Sequence, residues 1–256
     1  MSGLRAQIGA LRDGLWRSIP GRALAPAIFD AQARRCVAND SIGVTFGLAD
    51  SLFGRDLSLE IDPREITDTV PKRITVRGLV VEPRHFFVVP DNWDRNTTPF
   101  AQTRAAVEMA GLIGVEDVTD SRTHRALIAA MEAGGPRRHG GRYLDNVTAI
   151  TEYCQSYSDI YQDMRVNGYR AADPSDRRYR RNADIGLAVG RDGRLCHFRK
   201  GHHRLALAQQ ANLKRVTCSI RFIHGDWLQE LINLTGEAPC DAVITGLADL
   251  REQNDE

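Results

Sequence analysis

Apolar residues recur along this chain with two periods, and each period predicts a different element. Leu4, Ile8, Leu11 and Leu15 fall at helical spacing, with Arg5, Arg12 and Arg17 between them, which predicts a helix over residues 4–17. Alternation in Ile42-Gly43-Val44-Thr45-Phe46 and in Leu57-Ser58-Leu59-Glu60-Ile61 predicts strands. Two β-rich runs follow, from Ile74 to Val81 and from Phe86 to Val89, and Glu82-Pro83-Arg84 separates them. Thr98-Pro99 reads as an N-cap and first helical residue, opening an alanine-rich helix that runs to Leu112. Asp120 or Ser121 opens another, through His124, Leu127 and Met131, and Gly134-Gly135-Pro136 closes it. Pro136 to Arg142 is rich in glycine and arginine and reads as a loop. A helix from about Asn146 to Val166 ends at Asn167-Gly168, where a left-handed stop is expected. Residues 171–183 are polar and read as a surface loop.

The pattern sharpens after that loop. Ile185 to Val189 is an apolar strand, Arg191-Asp192-Gly193 is a hairpin turn, and Leu195-Cys196-His197-Phe198 is the returning partner. Gly201 opens a helix with Leu205, Ala208 and Ala211 or Asn212 on one face. Val216 to Phe222 alternates with period two, as a half-buried strand does. The expected class is α+β. A mixed sheet with a Gly-led helix is preceded by a smaller α/β region. The loop at 136–142 suggests a division into residues 1–135, of unassigned role, and residues 136–256.

Composition narrows the partners. The formal net charge is +1, so no global field draws nucleic acid to the chain, and DNA binding would need a local patch. The five cysteines (Cys36, Cys154, Cys196, Cys218, Cys240) lack any C-x-x-C pair, which argues against a disulfide framework or a zinc ribbon. The first twenty residues have neither the apolar core nor the cleavage site of a secretory signal, and no apolar run reaches the ~20 residues that span a bilayer. A cytoplasmic protein without a membrane partner is expected. A helix packed on the domain is the preferred reading of residues 4–17, and an interfacial membrane helix is the alternative.

The strand-to-helix junction at Gly201 is the place for chemistry. The first turn of a helix leaves amide N–H groups unpaired and carries the positive end of the peptide dipoles. Glycine there lets an anion come close, and Arg204 adds a planar fork for two phosphate oxygens. His202 and His203 are costly at a positive helix end if protonated, by about 0.3–1 kcal/mol, whereas a charge-assisted hydrogen bond contributes roughly 1.5–3 kcal/mol. An anionic ligand would explain the crowding. The competing reading is that Arg204 pairs with a carboxylate of the protein and the histidines are hydrogen-bonded bystanders.

Gly201-His202-His203-Arg204-Leu205-Ala206, set between a Gly-turn hairpin and an Asn-Leu-Lys-Arg-Val run, resembles the second conserved box of the ParB/sulfiredoxin-like superfamily. Chromosome-partitioning members carry G-E-R-R there and bind CTP, and sulfiredoxins carry G-C-H-R and use ATP. Free-serine kinases of that fold carry G-x-H-R, the form matched by Gly201, His203 and Arg204. Position 202 is histidine where sulfiredoxins have their attacking cysteine, and Lys200 stands where the kinases have an aspartate. Ile160 to Tyr169 and His224-Gly-Asp-Trp227 are similar to segments that flank the core in such proteins. The resemblance covers about residues 140–230.

It implies a ParB/sulfiredoxin-like fold and a nucleotide-binding domain over residues 136–256. The activity it implies is phosphotransfer from ATP, ADP or CTP, with Mg²⁺, to a small hydroxylated metabolite. The alternative is a non-catalytic nucleotide-dependent switch or adaptor, with association to nucleic acid left open, and a homodimer remains open. Lys200, Gly201, His202, His203 and Arg204 are the expected phosphate ligands. His203 and Glu152 are the expected catalytic pair, Glu152 by position alone, since a solvated helix face explains it as well. His224, Trp227 and Arg181 are the expected substrate contacts. The arginines at 177, 178, 180 and 181 could equally grip phosphate or simply face water. His197, His202, His203 and His224 have no carboxylate or cysteine at ligand spacing, so no protein-held metal is expected, and Mg²⁺ would arrive with the nucleotide. The chain ends about 30 residues after Trp227 without a helix-turn-helix, so nucleic acid is not an expected partner.

Overall fold

The chain is described here from a computed structural model, which covers residues 19–38, 41, 43–139, 142–170 and 185–255. The helix expected at 4–17 and the arginine-rich segment containing Arg181 lie outside the described residues. Helix α1 (Ile19–Val37) turns Ala25, Phe29, Ala33 and Cys36 inward at helical spacing. The strand expected at 42–46 is only β1 (Val44–Thr45), because Leu48, Ala49 and Phe53 bury one face of a helix, α2 (Phe46–Phe53), that begins at once. β2 (Ser58–Ile61) falls where alternation placed it, and β3 (Asp68–Thr69) is short. The run from Ile74 to Val81 is a hairpin, β4 (Ile74–Val76) and β5 (Leu79–Val81), because Arg77 and Gly78 both take positive φ, 52° and 77°. Two left-handed residues are what a tight I′ turn requires.

β6 (Phe86–Val89) follows the proline break. Thr98-Pro99 does not open a helix as expected. It forms β7 (Thr98–Pro99), and the helix α3 (Arg104–Leu112) starts after Thr103, whose hydroxyl accepts the Ala106 N–H at 3.3 Å. A side-chain cap on the N3 amide satisfies one of the unpaired donors of the first turn. Ser121 caps α4 (Arg122–Glu132) through the His124 N–H at 3.0 Å. The expected loop at 136–142 contains strand residues, β8 (Arg137–His139) pairing with β9 (Arg142–Leu144). Asn146 caps α5 (Val147–Asn167), which stops at Gly168 with φ 72°. Then come β10 (Ile185–Val189), β11 (Leu195–His197), α6 (His202–Gln210), β12 (Val216–His224), α7 (Gly225–Thr235) and α8 (Pro239–Asp255).

The fold is mixed α/β around a mixed sheet of order β1-β6-β12-β10-β11-β3-β7, with β2 also on β12. β12 is the spine. It runs parallel to β10, with Ile185 opposite Cys218 and Val189 opposite Ile223, and parallel to β6 at Ile223 and His224. Its first half carries β2 antiparallel, with Val216 opposite Ile61. Strands from both sides of residue 136 therefore share one sheet, and the boundary expected there does not interrupt it. Because side chains alternate along a strand, the sheet builds two cores. Leu187, Val189 and Ile220 join the larger one, and Ala188, Cys196 and Phe222 join a smaller one closed by Ile74, Val76 and Trp93. α3 and α5 pack on α6, which brings three helices to its first turn. All five cysteines are buried thiols. No helix among the described residues is long and apolar enough to cross a membrane.

Candidate functional site

The Gly201 corner is built by a knot of backbone hydrogen bonds. In the β10–β11 hairpin Gly190 N–H donates to the Arg194 carbonyl at 2.8 Å and Gly193 N–H to Gly190 at 3.1 Å. Past β11, Phe198 N–H reaches back to the Gly186 carbonyl at 2.7 Å, and Gly186 N–H donates to the Lys200 carbonyl at 3.1 Å. Lys200 N–H also donates to Phe198 at 2.7 Å, closing a tight turn around Arg199 at φ 61°. Gly201 then starts α6 in the left-handed region, at φ 74°. His197, almost fully buried, fastens the turn. Burial pushes its pKa down to about 4, so the ring is neutral at pH 7. Its Nε2 lies 3.0 Å from the Lys200 carbonyl and donates to it, while Nδ1 lies 2.8 Å from the Thr69 hydroxyl.

The next two residues point to different surroundings. His202 is half-buried, and its Nδ1 is 3.0 Å from the Arg199 carbonyl. A carbonyl only accepts, so Nδ1 carries the proton and Nε2 keeps the lone pair. Burial lowers the pKa of this ring as well, which leaves it neutral at pH 7 with its Nε2 lone pair unprotonated. His203 is 6% exposed and sits inside a cage. Its Nδ1 is 3.3 Å from the Tyr157 hydroxyl, its Nε2 is 3.4 Å from the Tyr153 hydroxyl, and Glu108 lies 3.9 Å from Nε2.

Protons can be placed along this cage. Burial opposes ionisation of Glu108, yet the neighbouring His203 ring and the Arg137 guanidinium outweigh it and bring its pKa down to about 2. Glu108 is therefore a carboxylate, and Tyr153 donates to it at 3.2 Å. Burial and that neighbouring charge raise the Tyr153 pKa, so the phenol keeps its proton. Its oxygen is left to accept from His203 Nε2–H. On the other side the Tyr157 hydroxyl lies 3.0 Å from His139 Nε2 as well as 3.3 Å from His203 Nδ1. One hydroxyl proton can serve only one of these nitrogens. Burial, then His203 and Arg137, push His139 down to about 4, so it is neutral at pH 7. Tyr157 can donate to His203 Nδ1 or to His139 Nε2, but not to both at once. Arg137, Glu108, Tyr153, His203, Tyr157 and His139 thus form one chain with two proton arrangements.

No family model matches this chain, and no curated protein or solved structure does.

The structure groups Lys200, Gly201, His202, His203 and Arg204 at one corner. Glu152 is exposed on α5, and its neighbour Tyr153 is buried. The carboxylate beside His203 is Glu108, from α3. His224 and Trp227 stand at the far end of β10. Gly201 packs on Ile185, whereas His224 follows Ile223, the partner of Val189, so about 13 Å of strand separates them. His224 has no exposed surface. Its Nδ1 accepts the Asp226 N–H at 2.9 Å and its Nε2–H donates to the Asp91 carbonyl at 2.5 Å, so both ring nitrogens are used.

Glu108, Arg137, His139, Tyr153 and Tyr157 were not singled out by sequence. Tyr153 and Tyr157 did carry a signal: they stand four apart on a helix and so share a face, next to buried Ile150. Among the described residues no group of three or more His, Cys, Asp or Glu could hold a metal ion.

The pKa directions predict how stability depends on pH. His197 and His139 titrate near 4 when folded and near 6.5 when unfolded, so their contribution is intact above pH 6.5 and lost as pH falls through 4. Glu108 follows between about 4.5 and about 2. The unfolding free energy measured in urea should fall between pH 6.5 and 4, by about 3 kcal/mol from His197, and this slope should flatten in His197→Asn. An unchanged slope in that variant would contradict the assignment.

Proposed function

We propose that the chain binds a nucleotide at the first turn of α6. We further infer that it transfers a phosphoryl group from ATP, ADP or CTP to a small hydroxylated metabolite, within a ParB/sulfiredoxin-like fold. The observation that carries this is His202: a neutral imidazole on the first turn of a Gly-led helix, with Nδ1–H tied to the Arg199 carbonyl and the Nε2 lone pair unprotonated. The order strand, hairpin, strand, Gly-led helix, strand supports the same reading, as does the G-x-H-R match at Gly201, His203 and Arg204.

In this reading the amides at the start of α6 and the Arg204 guanidinium hold the phosphates. His202 Nε2 takes the proton of the acceptor hydroxyl as its oxygen bonds to the terminal phosphorus. The bond to the bridging oxygen breaks, and the shorter nucleotide leaves with that oxygen. His203, held by Tyr153, Tyr157 and Glu108, positions its neighbour and relays charge rather than touching the acceptor. Mg²⁺ would be held mainly by the phosphates, where it offsets their charge.

The test is a thermal-shift panel of nucleotides with Mg²⁺. At about 100 times its dissociation constant the ligand should add roughly 2.7 kcal/mol, or about 5–10 °C for a chain of this size. Arg204→Ala should lose that shift. His202→Ala should keep it and lower turnover by about 10²–10⁴-fold. No shift with any nucleotide would overturn the proposal. A shift with no phosphoryl acceptor, and turnover equally absent in both proteins, would favour a nucleotide-dependent switch, a reading consistent with the deep burial of His203.

A further inference from the structure

A cavity of about 600 Å³ lies away from the first turn of α6. It lies between one face of α3 (Arg104, Val107, Glu108) and one face of α4 (Arg122, Ala126, Ala130), with Gly135 to Arg138 closing its side. Residues three and four apart share a helix face, so this is a groove between two helices rather than a gap at a chain end. Its lining is unusual for its charge: four arginines face one glutamate. Glu108 is taken up by Arg137. Arg138 lies over the Tyr143 ring at 5.4 Å. Among the described residues the guanidinium groups of Arg104 and Arg122 make no hydrogen bond or ion pair, and both residues are exposed.

The floor between these arginines is apolar. Val107 is 52% exposed, the alanines at 126 and 130 are exposed as well, and Leu127 closes the base. Three uncompensated cations around an apolar floor would repel one another and leave hydrophobic surface in water. A ligand that is anionic at one end and apolar at the other relieves both. The volume is that of a small-molecule pocket, within roughly 300–1,000 Å³, and is too small for a folded partner.

We propose that the α3–α4 groove binds an anionic small molecule with an aromatic or aliphatic body, through Arg104, Arg122 and Arg138 over Val107, Ala126 and Leu127. The site is separate from the first turn of α6 but touches it through Glu108 and Arg137, which belong to both. Its occupant is read from charge and shape and does not depend on the nucleotide assignment.

Calorimetry with phenyl phosphate as the probe tests this, alongside inorganic phosphate and neutral benzyl alcohol. Phenyl phosphate should bind tightest of the three. The Arg104→Ala/Arg122→Ala double variant, which alters only exposed side chains, should weaken it at least tenfold, and Ala126→Trp should fill the floor and abolish it. Arg204→Ala should leave it within about twofold. Binding that survives the double variant but is lost in Arg204→Ala would assign the anion to α6 and overturn this proposal while leaving the nucleotide reading intact. Equal binding of benzyl alcohol, or no binding of phenyl phosphate to the wild-type chain, would overturn it too.

Discussion

Gly201→Ala should cost about 4 kcal/mol of stability. Two effects combine. At φ 74° the backbone is left-handed, which an alanine adopts at a cost of about 1–2 kcal/mol. The added Cβ would also lie 2.8 Å from Ile185 Cα and 3.2 Å from Ile185 N. Those are backbone atoms of a strand paired on both sides, so they cannot step back without moving β10. Overpacking of this kind typically costs another 1–3 kcal/mol. A chemical-denaturation curve gives the number directly. The comparison that isolates the clash is Gly236→Ala, also left-handed at φ 71° but with nothing near its Cβ, which should lose only the conformational part. Equal losses at the two positions would mean that Ile185 yields and the corner is soft.

That corner was legible in sequence because its logic is local. A strand, an Asp-Gly hairpin, a second strand and a glycine before a helix each depend on neighbouring residues, and β10, β11, α6 and β12 fall within a residue or two of expectation. The partners of His203 were not legible in the same way. Glu108 comes from α3, His139 from β8 and the tyrosines from α5, so the cage exists only once three helices meet. Glu108 sits beside Met109 in an alanine-rich helix, where periodicity marks the buried stripe but not which polar neighbour turns toward another element. Elsewhere local cues competed. Thr98-Pro99 has the chemistry of a helix start, yet its pairing with Asp68 and Thr69 holds it extended, and Thr103 takes over the cap. Among the described residues of 42–46 the strand is Val44 and Thr45, because the inward residues that follow are spaced for a helix.

The glycine corner and the proton chain depend on different kinds of force, and this separates their failures. Changing Gly201 strains backbone, which no solvent condition relieves. Changing Glu108 or His139 alters charge placement, and its effect should follow pH.

A second buried ion pair, at the other end of β10, should respond to charge deletion almost as strongly as Gly201 responds to volume. Asp94 is 5% exposed and accepts from Arg191 at 2.8 and 2.9 Å, in the two-pronged geometry of a guanidinium–carboxylate pair, and again from the Arg191 amide at 3.2 Å. Burial works against its ionisation, but the Arg191 hydrogen bonds prevail and hold its pKa below the usual carboxylate range. Asp94→Ala should cost about 3–5 kcal/mol, the range for removing one partner of a buried pair. The lower end is expected, because Arg191 keeps Asp226 at 3.2 Å and the Asp91 carbonyl at 3.0 Å. Asp94→Leu combined with Arg191→Met should cost less than Asp94→Ala alone, since it leaves no charge stranded beside fully buried His224. The sign with pH follows from the lowered pKa: the pair stabilises above the unfolded carboxylate pKa near 3.8 and is lost as pH drops through the folded one. Denaturant midpoints for the three proteins at pH 7 decide the matter. If the double variant is the least stable of them, the pair contributes net attraction beyond avoiding a buried lone charge, and the electrostatic account given for this end of the sheet is wrong.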